Sequence, residues 1–216
     1  MKSTASARTT NRLPRPTRIL GGILFAFFVA YVLVWAFVGG SARQSAIDLL
    51  DVAGPLLAFV FCALAAHKST SGHLRRFWSI LAAAMFLSTL AESTWAYYEL
   101  VRGIESPFPS VADLFGLATY VLEFAAVVSL VSFRYSGGLA TVGVALEGVI
   151  FSVAAILLTW QFVMLPSLDL NASVLTNLVS VAYPGGDVLL LAALAFFQHA
   201  LRQAKRLGLL TRFEMA

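Results

Sequence analysis

The stretch PFPSVADLF, Pro107 to Phe115, stands between two long apolar runs, Phe77 to Val101 and Val111 to Phe133. Residues before proline avoid the helical region, so Pro107 and Pro109 keep the entering chain extended. Ser110 followed three residues later by Asp113 has the S-x-x-D form of a capping box ahead of an apolar run. The stretch predicts a firm helix start at residue 111, at the mouth of a membrane span.

The rest of the chain fits that reading. Of its 216 residues, 59% are hydrophobic and only 12% charged, and the mean hydropathy is +0.83. A soluble domain carries about 25% charged residues. Each helical span needs roughly 20 apolar residues. Six runs qualify: 19–38, 47–66, 77–101, 111–133, 139–165 and 174–200. The expectation is an all-α, polytopic membrane bundle with the lipid bilayer as its first partner. Residues 1–17 read as a disordered basic tail, and 201–216 as a second basic tail or the start of a downstream region. The first run is longer than a signal-peptide core and no clear cleavage site follows, so it reads as an uncleaved span. Little chain remains for a soluble catalytic domain.

Charge sets the expected topology. With the N-terminus inside, thirteen Lys and Arg fall on inner segments and two, Arg43 and Arg102, on outer loops. That bias is the positive-inside pattern. It predicts a multi-pass protein of the cell (cytoplasmic) membrane with both termini cytoplasmic. The basic clusters read as topology signals, with no nucleic-acid partner. The lone Cys62 excludes an intrachain disulfide and reads as packing.

The acids are the unexpected feature. Glu92, Glu99, Asp113, Glu123, Glu147 and Asp187 fall within or at the mouth of the later spans, and no Lys or Arg lies deep in a span to pair with them. Asp48 and Asp51 stand near the start of the second run. An acid at the bilayer centre costs roughly 2.5–3.5 kcal/mol on insertion scales. Ser88, Glu92, Trp95 and Glu99 share one face of the third span. Asp113, Gly116, Tyr120 and Glu123 share one face of the fourth. A short loop makes the two spans antiparallel neighbours, so these stripes can face each other.

A second motif, Tyr183-Pro184-Gly185-Gly186-Asp187, lies deep in the sixth run. Proline removes a backbone donor and two glycines loosen the chain. The motif predicts a broken helix, with Asp187 at the start of a half-helix where the dipole favours negative charge. A tolerated kink capped by Asp187 is the alternative. The candidate ligand-binding residues are Glu92, Trp95, Glu99, Asp113, Tyr120, Glu123, Tyr183 and Asp187. Pro107, Pro109 and Ser110 mark the helix start, and Pro184, Gly185 and Gly186 the break. His67, His73 and His199 lack a tight ligand spacing, so no metal or cofactor is expected. No phosphate loop or nucleophile triad is present, and no enzymatic activity is expected.

"LAESTWAYYELVRGIESPFPSVADLF" (90–115) followed by "VAYPGGDVLLLAALAFF" (181–197) resembles a multispanning N-terminal region common in actinobacterial signalling proteins. That region precedes diguanylate cyclase (GGDEF), phosphodiesterase (EAL) and sometimes histidine kinase domains. The matching residues are Trp95, Tyr97, Tyr98, Glu99, Gly103, Pro107, Phe108, Pro109, Ser110, Ala112, Asp113, Trp160, Tyr183, Pro184 and Asp187. There are departures. Glu92 stands near the family's aspartate before Trp95, Glu147 replaces the aspartate opening the fifth span, and Val121 stands where a proline follows the fourth-span tyrosine. The family region continues into further spans and an output domain, so the resemblance implies a piece of a larger protein or a relative that signals through a partner.

Three functions remain open on the residues. One is a sensory or input module, associated through the resemblance with cyclic-di-GMP signalling. It would bind a small or lipophilic ligand in an outer-half pocket and bias a cytoplasmic output domain or partner, with a homodimer as the assembly it could use. The second is a small proton- or cation-coupled transporter, favoured by unpaired intramembrane acids. The third is a ligand-free anchor whose acids only cap helices and tie them together.

Overall fold

The computed structural model describes residues 15–134, 153–155, 157–169 and 171–206. Most of the expected fifth span, with Glu147, lies outside the described residues. So do residues 1–14, 135–138 and 207–216.

All regular structure among the described residues is helical. The helices are α1 (Arg15–Phe37), α2 (Gly40–Lys68), α3 (Gly72–Ala96), α4 (Val111–Arg134), α5 (Val153–Met164) and α6 (Val174–Arg206). A π-helical turn, Tyr97–Val101, extends α3, and another, Trp160–Met164, ends α5. Among the described residues, four helical segments are long and apolar enough to cross a membrane: Gly40–Lys68, Gly72–Val101, Val111–Ser129 and Val174–Ala195. The apolar parts of α1 and α5, Gly21–Phe37 and Val153–Met164, are shorter. Much of the apolar surface, including Leu57, Phe86, Leu114, Val121, Phe124 and Leu191, is exposed, as a lipid-facing surface requires.

The chain divides into two compact units, residues 1–50 and 51–216. In the first, α1 starts at Arg15, so the expected disordered tail is helical over residues 15–17. Pro16 sits in the first turn, where its missing N–H has no helical partner to lose. Gly40 takes a positive φ of 62° between α1 and α2, and the Arg43 guanidinium donates to the Val38 carbonyl at 2.6 Å.

In the second unit the gap between the second and third apolar runs, 67–76, is mostly helical, and only Ser69–Ser71 separate α2 from α3. His67 and Lys68 remain in the last turn of α2, where positive charge suits the carbonyl end of the helix. The Ser69 hydroxyl donates to the Ala65 carbonyl, and Arg75 to the Ser69 carbonyl. Phe59 of α2 meets Phe86 of α3 with ring centroids 5.6 Å apart.

α3 and α4 form the main helix pair, and α4 also packs on α6. Small side chains let the helix axes approach. Ala84 and Ala91 of α3, and Ala112 and Ala126 of α4, are all but sealed, and Thr119 donates across the pair to the Ala84 carbonyl at 3.4 Å. The connection at 102–110 turns on Gly103, which takes the left-handed conformation that suits glycine at a helix end. The Ile104 N–H then reaches back to the Tyr98 carbonyl. The Phe108–Pro109 peptide is cis.

The expected break in the sixth span does not occur. α6 is continuous from Val174 through Pro184 to Arg206. Proline costs the helix the bond to the Ser180 carbonyl, but the turns on either side hold. The two glycines serve close packing. A Cβ on Gly186 would lie 2.8 Å from the Tyr120 ring, and one on Gly185 would lie 3.1 Å from the Met164 methyl.

Candidate functional site

The capping box forms as its residues require. The Ser110 N–H donates to Asp113 Oδ2 at 2.6 Å, and the Ala112 N–H donates to the Ser110 hydroxyl at 3.2 Å. This satisfies donors that a helix start leaves unpaired. The second Asp113 oxygen, Oδ1, accepts from the Tyr183 hydroxyl at 3.0 Å. Asp113 is only 2% exposed. Its carboxylate is therefore committed to the start of α4 and to α6, and it does not line the cavity described below.

Seven residues along α4 a second tie mirrors the first. The Tyr120 hydroxyl donates to Asp187 Oδ1 of α6 at 2.6 Å. Each helix supplies one tyrosine and one aspartate, so the pairs cross. The two tyrosine rings meet edge to face, with centroids 6.2 Å apart. Both tyrosines lean over glycine. A Cβ on Gly116 would sit 2.7 Å from the Tyr183 hydroxyl, just as one on Gly186 would strike Tyr120. The lower-numbered partner on α4 pairs with the lower-numbered partner on α6, so these two helices run in the same direction.

Beside these ties lies a cavity of about 360 Å³ between α3, α4 and α6. α3 contributes Ser88, Ala91, Glu92 and Trp95; α4 contributes Gly116, Thr119, Tyr120 and Glu123; α6 contributes Tyr183, Asp187 and Leu190. Six of the eight candidate ligand-binding residues thus share one cavity: Glu92, Trp95, Tyr120, Glu123, Tyr183 and Asp187. Glu99 stands outside the lining, in the π-helical turn. Pro107 and Pro109 lie in the connection before α4, and Pro184 within α6 without touching the cavity.

The cavity is acidic and aromatic together. Glu123 and Asp187 are close enough for their charges to act on each other, and Asp51 of α2 acts on Glu92. The sequence holds no Lys or Arg in residues 77–101, 103–133 or 135–201, so the spans around the cavity carry no such cation. Measured at 1.5 Å per residue, Glu92 lies about 14 Å from the Val101 end of its span. Glu123 and Asp187 lie about 18 and 20 Å along α4 and α6 from their first residues. Among the described residues no three His, Cys, Asp or Glu form a group able to hold a metal ion.

Ala91, Thr119 and Leu190 line the cavity without having been singled out as candidates. Thr119 carried a signal: it falls three residues after Gly116 and four before Glu123, on the same face. Leu190 did not, since an apolar residue in an apolar span looks like any other.

Fold and site define a membrane protein, all-helical among its described residues, with an acidic, aromatic cavity lined by three of its helices. No family model matches the chain, and no curated protein or solved structure matches it.

Proposed function

We propose that the protein is a multi-pass sensory or input module of a bacterial cell membrane, with six spans and both termini cytoplasmic. It binds a small or lipophilic ligand in the α3–α4–α6 cavity and passes a shift of α6 to a cytoplasmic output domain or partner. The observation that carries this reading is the cavity itself. Its volume falls in the range of ligand pockets, and a few polar groups converge on it from three helices. The resemblance of residues 90–115 and 181–197 to signalling input regions points the same way. The shared direction of α4 and α6 agrees with a chain that returns across the membrane between them.

Leu190 lines the cavity, and Leu190→Trp would fill it. Native mass spectrometry on the full chain from its own membranes should find a bound small molecule that Leu190→Trp lacks. Spin labels on α4 and α6 should change separation between the two proteins. An empty wild-type cavity with identical separations would leave a ligand-free anchor. The three acids that line the cavity favour one second reading, a proton- or cation-coupled transporter. Flux into sealed vesicles driven by a pH gradient would single that reading out, since a sensor binds without transporting.

A further inference from the structure

We infer that the cavity takes a lipophilic organic cation, a protonated amine or quaternary ammonium bearing apolar groups. This rests on the reading of the cavity as a ligand pocket and names the chemistry of its ligand.

The cavity provides the space, and its lining selects the class of occupant. Three carboxyl groups, Glu92, Glu123 and Asp187, open onto it. Asp187 is engaged by the Tyr120 hydroxyl. Glu92 and Glu123 make no hydrogen bond among the described residues. Charge in the apolar interior of a membrane is costly unless it is paired, and the spans around the cavity offer no Lys or Arg. A cationic occupant would supply the counter-charge that these spans lack. An anionic ligand would meet repulsion from the three acids, and a neutral one would bring no counter-charge to them.

The aromatic walls separate an organic cation from a metal ion. Trp95, Tyr120 and Tyr183 present rings to the same cavity, and ring faces attract alkylammonium groups within about 6 Å, tryptophan best of the three. A small hydrated ion would need several oxygen ligands held together, and the described acids form no such group. Leu190 and Ala91 supply apolar wall for the cation's substituents. Depth excludes a phospholipid headgroup. Measured from the Val101, Val111 and Val174 ends, the acids lie about 14–20 Å along their helices, below the headgroup layer on that side, and a headgroup would bring its phosphate with it.

The test compares benzyltrimethylammonium with neopentylbenzene, its uncharged isostere, on the full chain in lipid nanodiscs. Binding is followed by equilibrium dialysis of the labelled cation and by its displacement. The expected result is saturable cation binding at least tenfold tighter than the isostere. In Glu92→Gln/Glu123→Gln that preference should vanish while isostere affinity stays level, which shows the variant is folded. Trp95→Leu, with every carboxylate kept, should weaken the cation about fivefold more than the isostere. Equal affinities in the wild type, or a preference that survives the double substitution, would overturn the cation assignment and leave the pocket standing. No saturable binding of either probe would overturn the pocket together with it.

Discussion

Asp113 and Asp187 are both aspartates bound by a tyrosine across the same helix pair, yet they should respond differently to substitution. Asp113 holds the start of α4 and the Tyr183 hydroxyl from a sealed position. Asp113→Ala removes a capping interaction of roughly 0.5–2 kcal/mol and a tie between helices of about 1 kcal/mol. The expected loss is about 2 kcal/mol, read by unfolding in mixed detergent micelles. Asp187→Ala, at an exposed residue, should cost under about 1 kcal/mol by the same measurement. A double-mutant cycle between Tyr120→Phe and Asp187→Ala should return a coupling of about 0.6 kcal/mol. A coupling of zero would mean that the 2.6 Å bond contributes nothing in the bilayer. The acids and aromatics were legible as stripes, because helical spacing places Glu92 beside Trp95 and Tyr120 beside Glu123. Their partners were not. Tyr120 and Asp187 are 67 residues apart, and Tyr183 and Asp113 are 70 apart. Periodicity within one helix says nothing about which face a distant helix presents.

At the scale of the element, Pro184-Gly185-Gly186 shows how one set of residues supports two physical readings. Proline and paired glycine are the strongest breakers in water. In a membrane bundle, where every backbone group must find a partner inside the protein, small residues instead bring helices together. α6 follows the second rule. The glycines are therefore expected to rank by what lies against them. Gly186→Ala pushes a methyl into the body of the Tyr120 ring and should cost about 1–3 kcal/mol, as overpacking does. Gly185→Ala meets only the end of the flexible Met164 side chain and should cost under about 1 kcal/mol. Pro184→Ala restores a donor to the Ser180 carbonyl and should leave stability level or higher. Thermal unfolding of the three variants checks the order, and a severe loss for Pro184→Ala would overturn it.

For the molecule as a whole, the sequence made membrane residence and the boundaries of α4 and the start of α6 plain, because apolar runs and S-x-x-D signals are local. The apolar runs understate α2 and α3, which continue past them on either side of Ser69–Ser71, since basic side chains can stay helical beyond the apolar stretch. The proposed six-span arrangement makes a direct prediction. In a Cys62→Ala background, cysteines at Ser41, Glu105 and Ser167 should react with a membrane-impermeant maleimide added to intact cells. Cysteines at Ser3, Thr70 and Leu209 should react only after lysis. Labelling of Ser41 and Thr70 from the same side would rule the arrangement out. The two ties between α4 and α6 also set how the molecule can move. One is sealed at Asp113, and the other ends on an exposed aspartate at the cavity. An occupant that draws Asp187 away from Tyr120 leaves Tyr183 as a fulcrum. From there α6 extends about 34 Å to Arg206, so a tilt of about 5° carries its end roughly 3 Å. The helix is then a lever, with its short arm in the cavity and its long arm at the basic end of the chain.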